Sequence, residues 1–180
     1  MYLSLNWLKD FIKFKQTPEQ VAEVLTLGGF EVEKINYWGK GLDQVVVGQI
    51  KTIVSHAEAD KLSVCKVDIG RKQLLNIVCG ARNIKPGQKV PVVLVGAVLP
   101  KGMKIERRRI RGVDSEGMLC AEDELGLGED HKGILILNKD LKIGRKLSQA
   151  VGLEDAVLDI TISPNRADGF SVLGLAREYA

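Results

Sequence analysis

The sequence predicts an α+β protein, with helices gathered at its two ends and a small five-stranded β-barrel between them. Three observations carry this reading. Apolar residues recur at helical spacing near both termini. β-rich runs punctuated by glycine and proline fill the middle. Charge divides the chain in the same place. Residues 40–150 hold 20 Lys/Arg against 13 Asp/Glu, a net of +7, while 1–39 and 151–180 together hold 6 against 10, a net of −4.

At the start, Leu5, Leu8, Phe11 and Ile12 share one helical face, with Lys9, Asp10 and Lys13 on the other. Thr17-Pro18-Glu19-Gln20 supplies an N-cap, a proline for the first helical turn and a capping-box partner. A second helix is expected through Val21, Val24, Leu25 and Leu27, stopped at Gly28-Gly29. Phe30 to Trp38 alternates in part and reads as a strand. From Val45 the period is that of strands: Val45–Val54, Leu62–Ile69, Gln73–Cys79 and Lys89–Val95 are four runs, with a short hairpin turn at Gly70-Arg71-Lys72. Lys104–Val113 is the expected fifth. Five short strands in about 100 residues fit a barrel of the OB type. Further on, Ala121–Leu125 reads as a short acidic helix or turn. Ile134–Leu137 reads as a strand, Lys146–Leu153 as a helix and Val157–Ile162 as a strand. The last helix begins near Ser171 and stops at Ala180 without a glycine, proline or polar tail, so it reads as a cut end within a longer protein.

Composition excludes several classes. With 45% apolar and 27% charged residues, the chain is an ordinary globular one rather than a disordered one. Its longest uncharged apolar stretch, Val90–Pro100, is far short of the roughly 18 residues of a membrane helix. No basic-then-apolar leader is apparent, so a soluble, intracellular protein is expected. Cys65, Cys79 and Cys120 are odd in number and lack Cys-x-x-Cys spacing, and His56 and His131 add no ligand pair. Reduced thiols are expected rather than a zinc site or disulfide scaffold. No phosphate-binding loop or dinucleotide glycine pattern occurs. Ser55, His56 and Asp60 could make a triad on paper, but such combinations are common and nothing places them at working geometry; His56 reads as a cap or surface residue. No catalytic residue is expected, and no metal site.

The charge asymmetry sharpens within 61–111, where 13 basic residues face only Asp68 and Glu106, a net of +11. Such a block points to a polyanion, nucleic acid first, against the alternative of a merely solvated surface. Its densest part is Lys104 to Arg111. On a strand, Arg107, Arg109 and Arg111 would share one face, and Arg108 and Ile110 the other. A row of guanidinium groups two residues apart suits a phosphate backbone. Lys61, Lys66, Arg71, Lys72, Arg82, Lys85, Lys89 and Lys101 would add to the field. No Phe, Trp or Tyr lies between Trp38 and Phe170, so stacking platforms for a stretched strand are missing. A folded RNA held by shape and phosphate contact fits better.

The residues from His56 to Gly70 (HAEADKLSVCKVDIG) resemble the opening motif of the tRNA-binding OB-fold family. Ile77–Ile84 (IVCGARNI) and Gly112–Ala121 (GVDSEGMLCA) continue the pattern in order. Leu5–Phe11 (LNWLKDF), Asp159–Asp168 (DITISPNRAD) and Leu173–Glu178 (LGLARE) are similar to the N-terminal region of the bacterial phenylalanyl-tRNA synthetase beta-subunit family. That resemblance covers essentially the whole chain. It implies an OB barrel over 40–150 inserted into a small, mostly helical domain formed by 1–39 and 151–180.

It also implies a cytoplasmic phenylalanine-tRNA ligase of two alpha and two beta subunits, using ATP and Mg2+ to join phenylalanine to tRNA(Phe). The aminoacylation site would lie in the alpha subunit and the editing site later in the beta chain, so these 180 residues would bind tRNA without catalysis or cofactor. Asp60, Asn83 and Ser115 match motif positions and stand evenly between RNA contact and loop-holding turn chemistry. The candidate RNA-binding set is therefore Lys61, Arg82, Asn83, Lys85, Arg107, Arg108, Arg109, Arg111 and Ser115. A free-standing tRNA-binding module and a subunit-docking barrel with no RNA role remain the alternatives.

Overall fold

Ten strands and four α-helices follow one another along the 180 residues that the computed structural model describes. In chain order they are β1 (Tyr2–Ser4), α1 (Leu5–Leu8), α2 (Pro18–Leu27), β2 (Glu31–Trp38), β3 (Val45–His56), β4 (Ala59–Asp68), β5 (Leu75–Cys79), β6 (Lys89–Leu94), β7 (Arg108–Ile110), β8 (Val113–Ser115), β9 (Gly117–Leu119), α3 (Leu147–Ala150), β10 (Asp155–Thr161) and α4 (Val172–Tyr179). The chain divides into two units, residues 1–39 with 153–180, and residues 40–152. None of the helices is long and apolar enough to cross a membrane.

In the first unit, the Thr17 hydroxyl accepts the Gln20 N–H and the Gln20 side chain accepts the Thr17 N–H, closing the expected capping box at the start of α2. The helix buries Val21 and Leu25. The first helix is shorter than its periodicity suggests: α1 covers one turn, and i→i−3 bonds from Asp10 and Phe11 then tighten and end it. Unforeseen was a three-stranded antiparallel sheet in the order β1-β10-β2, in which Leu3 lies opposite Leu158 and Leu158 opposite Ile35. Leu3, Leu25, Phe30, Leu158, Ile160 and Leu175 are fully buried at the centre of this unit. Arg166 lies with its guanidinium 4.1 Å over the Phe30 ring, donates to the Gly28 carbonyl and pairs with Asp168 and Glu178. Gly169 is needed beside it, because a Cβ there would stand 2.2 Å from a Phe30 ring carbon.

The second unit is built on a five-stranded antiparallel sheet in the order β5-β4-β3-β6-β9. It curls until its edge strands approach, giving a nearly closed barrel of the OB type around Ile50, Cys65, Val67, Ile77, Val90 and Val92. At the closure the Glu116 N–H donates to the Asn76 carbonyl (2.8 Å) and the Asn76 N–H to the Glu116 carboxylate (3.1 Å).

The fifth barrel strand is not Lys104–Val113. β7 and β8 form a separate two-stranded hairpin, and β9 completes the barrel. The reason is the turn. Arg111 (φ 43°) and Gly112 (φ 85°) both take left-handed backbone between the paired Ile110 and Val113, a two-residue loop of type I′ character that folds the chain back. Ile134–Leu137 likewise forms no strand, but only a bridge from Leu137 to Lys89 and a bond from the Leu135 N–H to the Cys120 carbonyl. α3 ends before Gly152, whose φ of 71° stops the helix short of Leu153.

Candidate nucleic-acid interface

The candidate cations Lys61, Arg82, Lys85, Arg107, Arg108, Arg109 and Arg111 lie on or beside three pieces of the barrel: the β3–β4 hairpin, the loop after β5, and the β7–β8 hairpin. His56 joins two of them. It is 5% exposed and its ring is spent on backbone. Nδ1 accepts the Glu58 N–H at 3.1 Å, so Nε2 carries the proton and donates to the Ile110 carbonyl, also at 3.1 Å. Neither nitrogen touches Ser55 or Asp60, so the paper triad is not assembled. His56 is a cap, as expected, but a buried one. Arg111 reinforces the junction by donating to the Glu58 carbonyl at 2.8 Å.

That junction sorts the arginines. Arg107 is engaged by Asp114 (3.2 Å) and Glu116 (3.7 Å). Arg109 donates to the Gly112 carbonyl at 3.2 Å, and Arg111 is committed to Glu58. Because the chain turns at Arg111, the expected row of three guanidinium groups on one strand face does not form. Arg108, on the opposite face of β7, is exposed and has no protein partner. Lys61 on β4, and Arg82 and Lys85 on the loop after β5, are also exposed cations without an ion pair. Lys61 and Arg82 belong to neighbouring backbone, since the Lys61 carbonyl lies 4.0 Å from where a Cβ on Gly80 would be.

Asn83 and Ser115 hold loops. The Asn83 side-chain amide donates to the Ile134 carbonyl (2.8 Å) and accepts the Ile134 N–H (3.1 Å), fastening that backbone to the loop after β5. Ser115 is 4% exposed, and its hydroxyl accepts the Val78 N–H (3.1 Å) and donates to the Gly117 carbonyl (3.0 Å). Its bonding capacity is used inside the barrel wall. Asp60 is exposed at the start of β4.

The cysteines are free and buried. Burial pushes the Cys65 thiol up to about 11 and raises Cys79 and Cys120 as well, which keeps all three protonated and unreactive at neutral pH. Two residues escaped the sequence reading. Lys132, exposed and without an ion pair, lies outside the basic 61–111 block that the charge count isolated. His131 sits beside it and pairs with Asp123 at 2.8 Å. A hydrogen bond from Lys101 and the one to His131 hold Asp123 down at about 2, and the Asp123 carboxylate raises His131.

A five-stranded barrel with unpaired Lys and Arg side chains on β4, β7 and the loop after β5 has the character of a nucleic-acid-binding module. The family model described as "Putative tRNA binding domain" matches residues 45–146, more than half of the chain. The chain belongs to this tRNA-binding domain family. Its curated relatives include phenylalanine–tRNA ligase beta subunits of Nitratidesulfovibrio vulgaris (50% identical over 180 residues) and Geobacter metallireducens (48%). Both matches cover all of this chain and 23% and 22% of the relatives, so the chain spans less than a quarter of their length. A solved structure of a MetRS related protein from Pyrococcus horikoshii aligns with 76% of this chain and 99% of its own, at 20% identity and a TM-score of 0.43.

Proposed function

We propose that this chain is the tRNA-binding N-terminal region of a phenylalanine–tRNA ligase beta subunit. The barrel of residues 40–152 holds tRNA(Phe) by its phosphates, and the unit of residues 1–39 and 153–180 is the split domain in whose sequence the barrel is inserted. The observation that carries the reading is the set of exposed, unpaired cations Lys61, Arg82, Lys85 and Arg108, borne by a barrel of the tRNA-binding family. Phosphate contact from such side chains positions a folded RNA without reading its bases. In this reading the chain itself has no catalytic step. ATP and Mg2+ serve the ligase elsewhere, in a cytoplasmic assembly of two alpha and two beta subunits.

The test is tRNA binding at a series of salt concentrations. Counterion release predicts log K falling linearly with log salt, and Lys61→Gln, Arg82→Gln or Lys85→Gln each flattening the slope by about one contact. Affinity that is indifferent to salt, or absent at low salt, would favour a barrel that docks protein instead.

A further inference from the structure

The barrel wall has an open seam. β5 and β9 are the two edges of the five-stranded sheet, and no ladder joins them. Ser115 and Glu116 bridge the edges at one end only. Beyond that bridge lies a groove of about 490 Å3, with Cys79 on one wall, Met118 and Leu119 on the other, and Ile105, Ile110 and Ile134 as further apolar lining. This volume is within the roughly 300–1,000 Å3 of small-ligand sites.

The rim is charged, and most of its charges are already matched. Lys104 pairs with Glu106 at 3.2 Å and His131 with Asp123 at 2.8 Å, while Glu124 has no cation partner and its carboxylate is turned to the Ala121 N–H at 2.8 Å. Arg108 and Lys132 also line the groove, and neither has a protein partner. The groove thus offers an apolar slot edged by two unmatched cations. Its chemical complement is a group that is flat and apolar on its faces and anionic at one end. A nucleotide has this form. No Phe, Tyr or Trp lies between Trp38 and Phe170 to stack on a base, but the His131 ring and the Met103 and Met118 thioethers in the lining can serve in their place.

We propose that the β5–β9 seam takes one unstacked nucleotide of the bound RNA, with its base in the slot and its phosphate on Arg108 and Lys132. The proposal rests on the RNA-binding reading above and adds a base-accepting subsite to it. The energy for unstacking one base is modest where the base already lies in a loop.

Amide NMR of the whole chain tests it, with AMP, CMP, GMP and UMP titrated against ribose 5-phosphate and inorganic phosphate. The mononucleotides are expected to shift the Cys79, Met118 and Leu119 amides, and the two base-free phosphates to leave them in place. Arg108→Gln should weaken mononucleotide binding about tenfold, the scale of one charge-assisted phosphate contact. Its own spectrum should stay folded, since Arg108 is exposed and unpaired. In complex with tRNA the same three amides should move. If mononucleotides act no differently from ribose 5-phosphate, the base slot does not exist. If tRNA binds with steep salt dependence yet leaves these amides unmoved, the subsite is overturned while the phosphate-holding function stands. If tRNA fails to bind at any salt, both readings fall together.

Discussion

The Nε2–H of His56, at the end of β3, donates to the carbonyl of Ile110, 54 residues later in the last position of β7. Through this bond a buried imidazole fixes where the arginine hairpin sits on the barrel. His56→Ala would leave the Glu58 N–H without its side-chain partner and strip the Ile110 carbonyl of its bond to the barrel. Removing one partner of a buried hydrogen bond costs about 1–3 kcal/mol. A urea midpoint shifted by that amount, together with weaker tRNA binding, is the expected result. Unchanged stability would mean the hairpin is held by other contacts.

Ser115 should separate folding from binding. Ser115→Ala strands the Val78 N–H and the Gly117 carbonyl at the seam, again at about 1–3 kcal/mol. Because the side chain is buried, tRNA affinity measured on the folded variant should match that of the parent. A loss of affinity without a loss of stability would return Ser115 to the RNA-contacting set.

Arg107 and Arg108 are neighbours with opposite expectations. Arg107 is occupied by Asp114 and Glu116, whereas Arg108 is unpaired. Arg108→Gln should flatten the slope of log K against log salt by about one unit, and Arg107→Gln by much less. Equal slopes for the two variants would show that RNA pulls Arg107 away from its carboxylates.

The Asp123–His131 pair sets a pH-dependent charge at the groove rim. The Asp123 carboxylate raises the His131 pKa above its usual value, so the interaction is present while His131 is protonated and is lost as pH rises through that raised value. At the acid end, Asp123 is held at about 2, first by Lys101 and then by His131, and its contribution disappears as pH falls toward that value. An NMR titration should place the His131 midpoint above about 6.5. Asp123→Asn should bring it down, and an unchanged midpoint would exclude the pairing.

Gly48 lies in β3 where the barrel interior is tightest. A Cβ there would stand 2.4 Å from a Val92 methyl and 2.9 Å from a Val67 methyl. Gly48→Ala should destabilise the barrel by about 1–3 kcal/mol, the usual range for overpacking, read as a lower melting temperature. A neutral result would mean that the two valines can turn away.

Much of this architecture is legible along the chain because its causes are local. The capping box of α2 is a four-residue pattern, the runs that become β3 to β6 carry their own β-rich signal, and the Ser171 cap announces α4. Elements of three residues escaped. β1 and β9 are too short to show a period, and they are strands only because β10 and β6 lie beside them. The candidate site divides in the same way. That Lys61, Arg82, Lys85 and Arg108 are basic residues within a basic block was readable. That Asn83 would be spent on Ile134 and Ser115 on Val78, partners 51 and 37 residues away, was not.

The helical ends, the β-rich basic middle, the kinship of the chain with tRNA-binding relatives and the number of cations available to a polyanion are all written in the order of the residues. Which cations remain unpaired, and where the barrel stays open, follow from folding alone. Charge and period are properties of residues in order along a chain. The partner of a guanidinium, and the gap between two strand edges, are set by residues brought together from distant positions, and a two-residue left-handed turn at Arg111 and Gly112 was enough to undo a row of arginines that the sequence alone had placed on one strand.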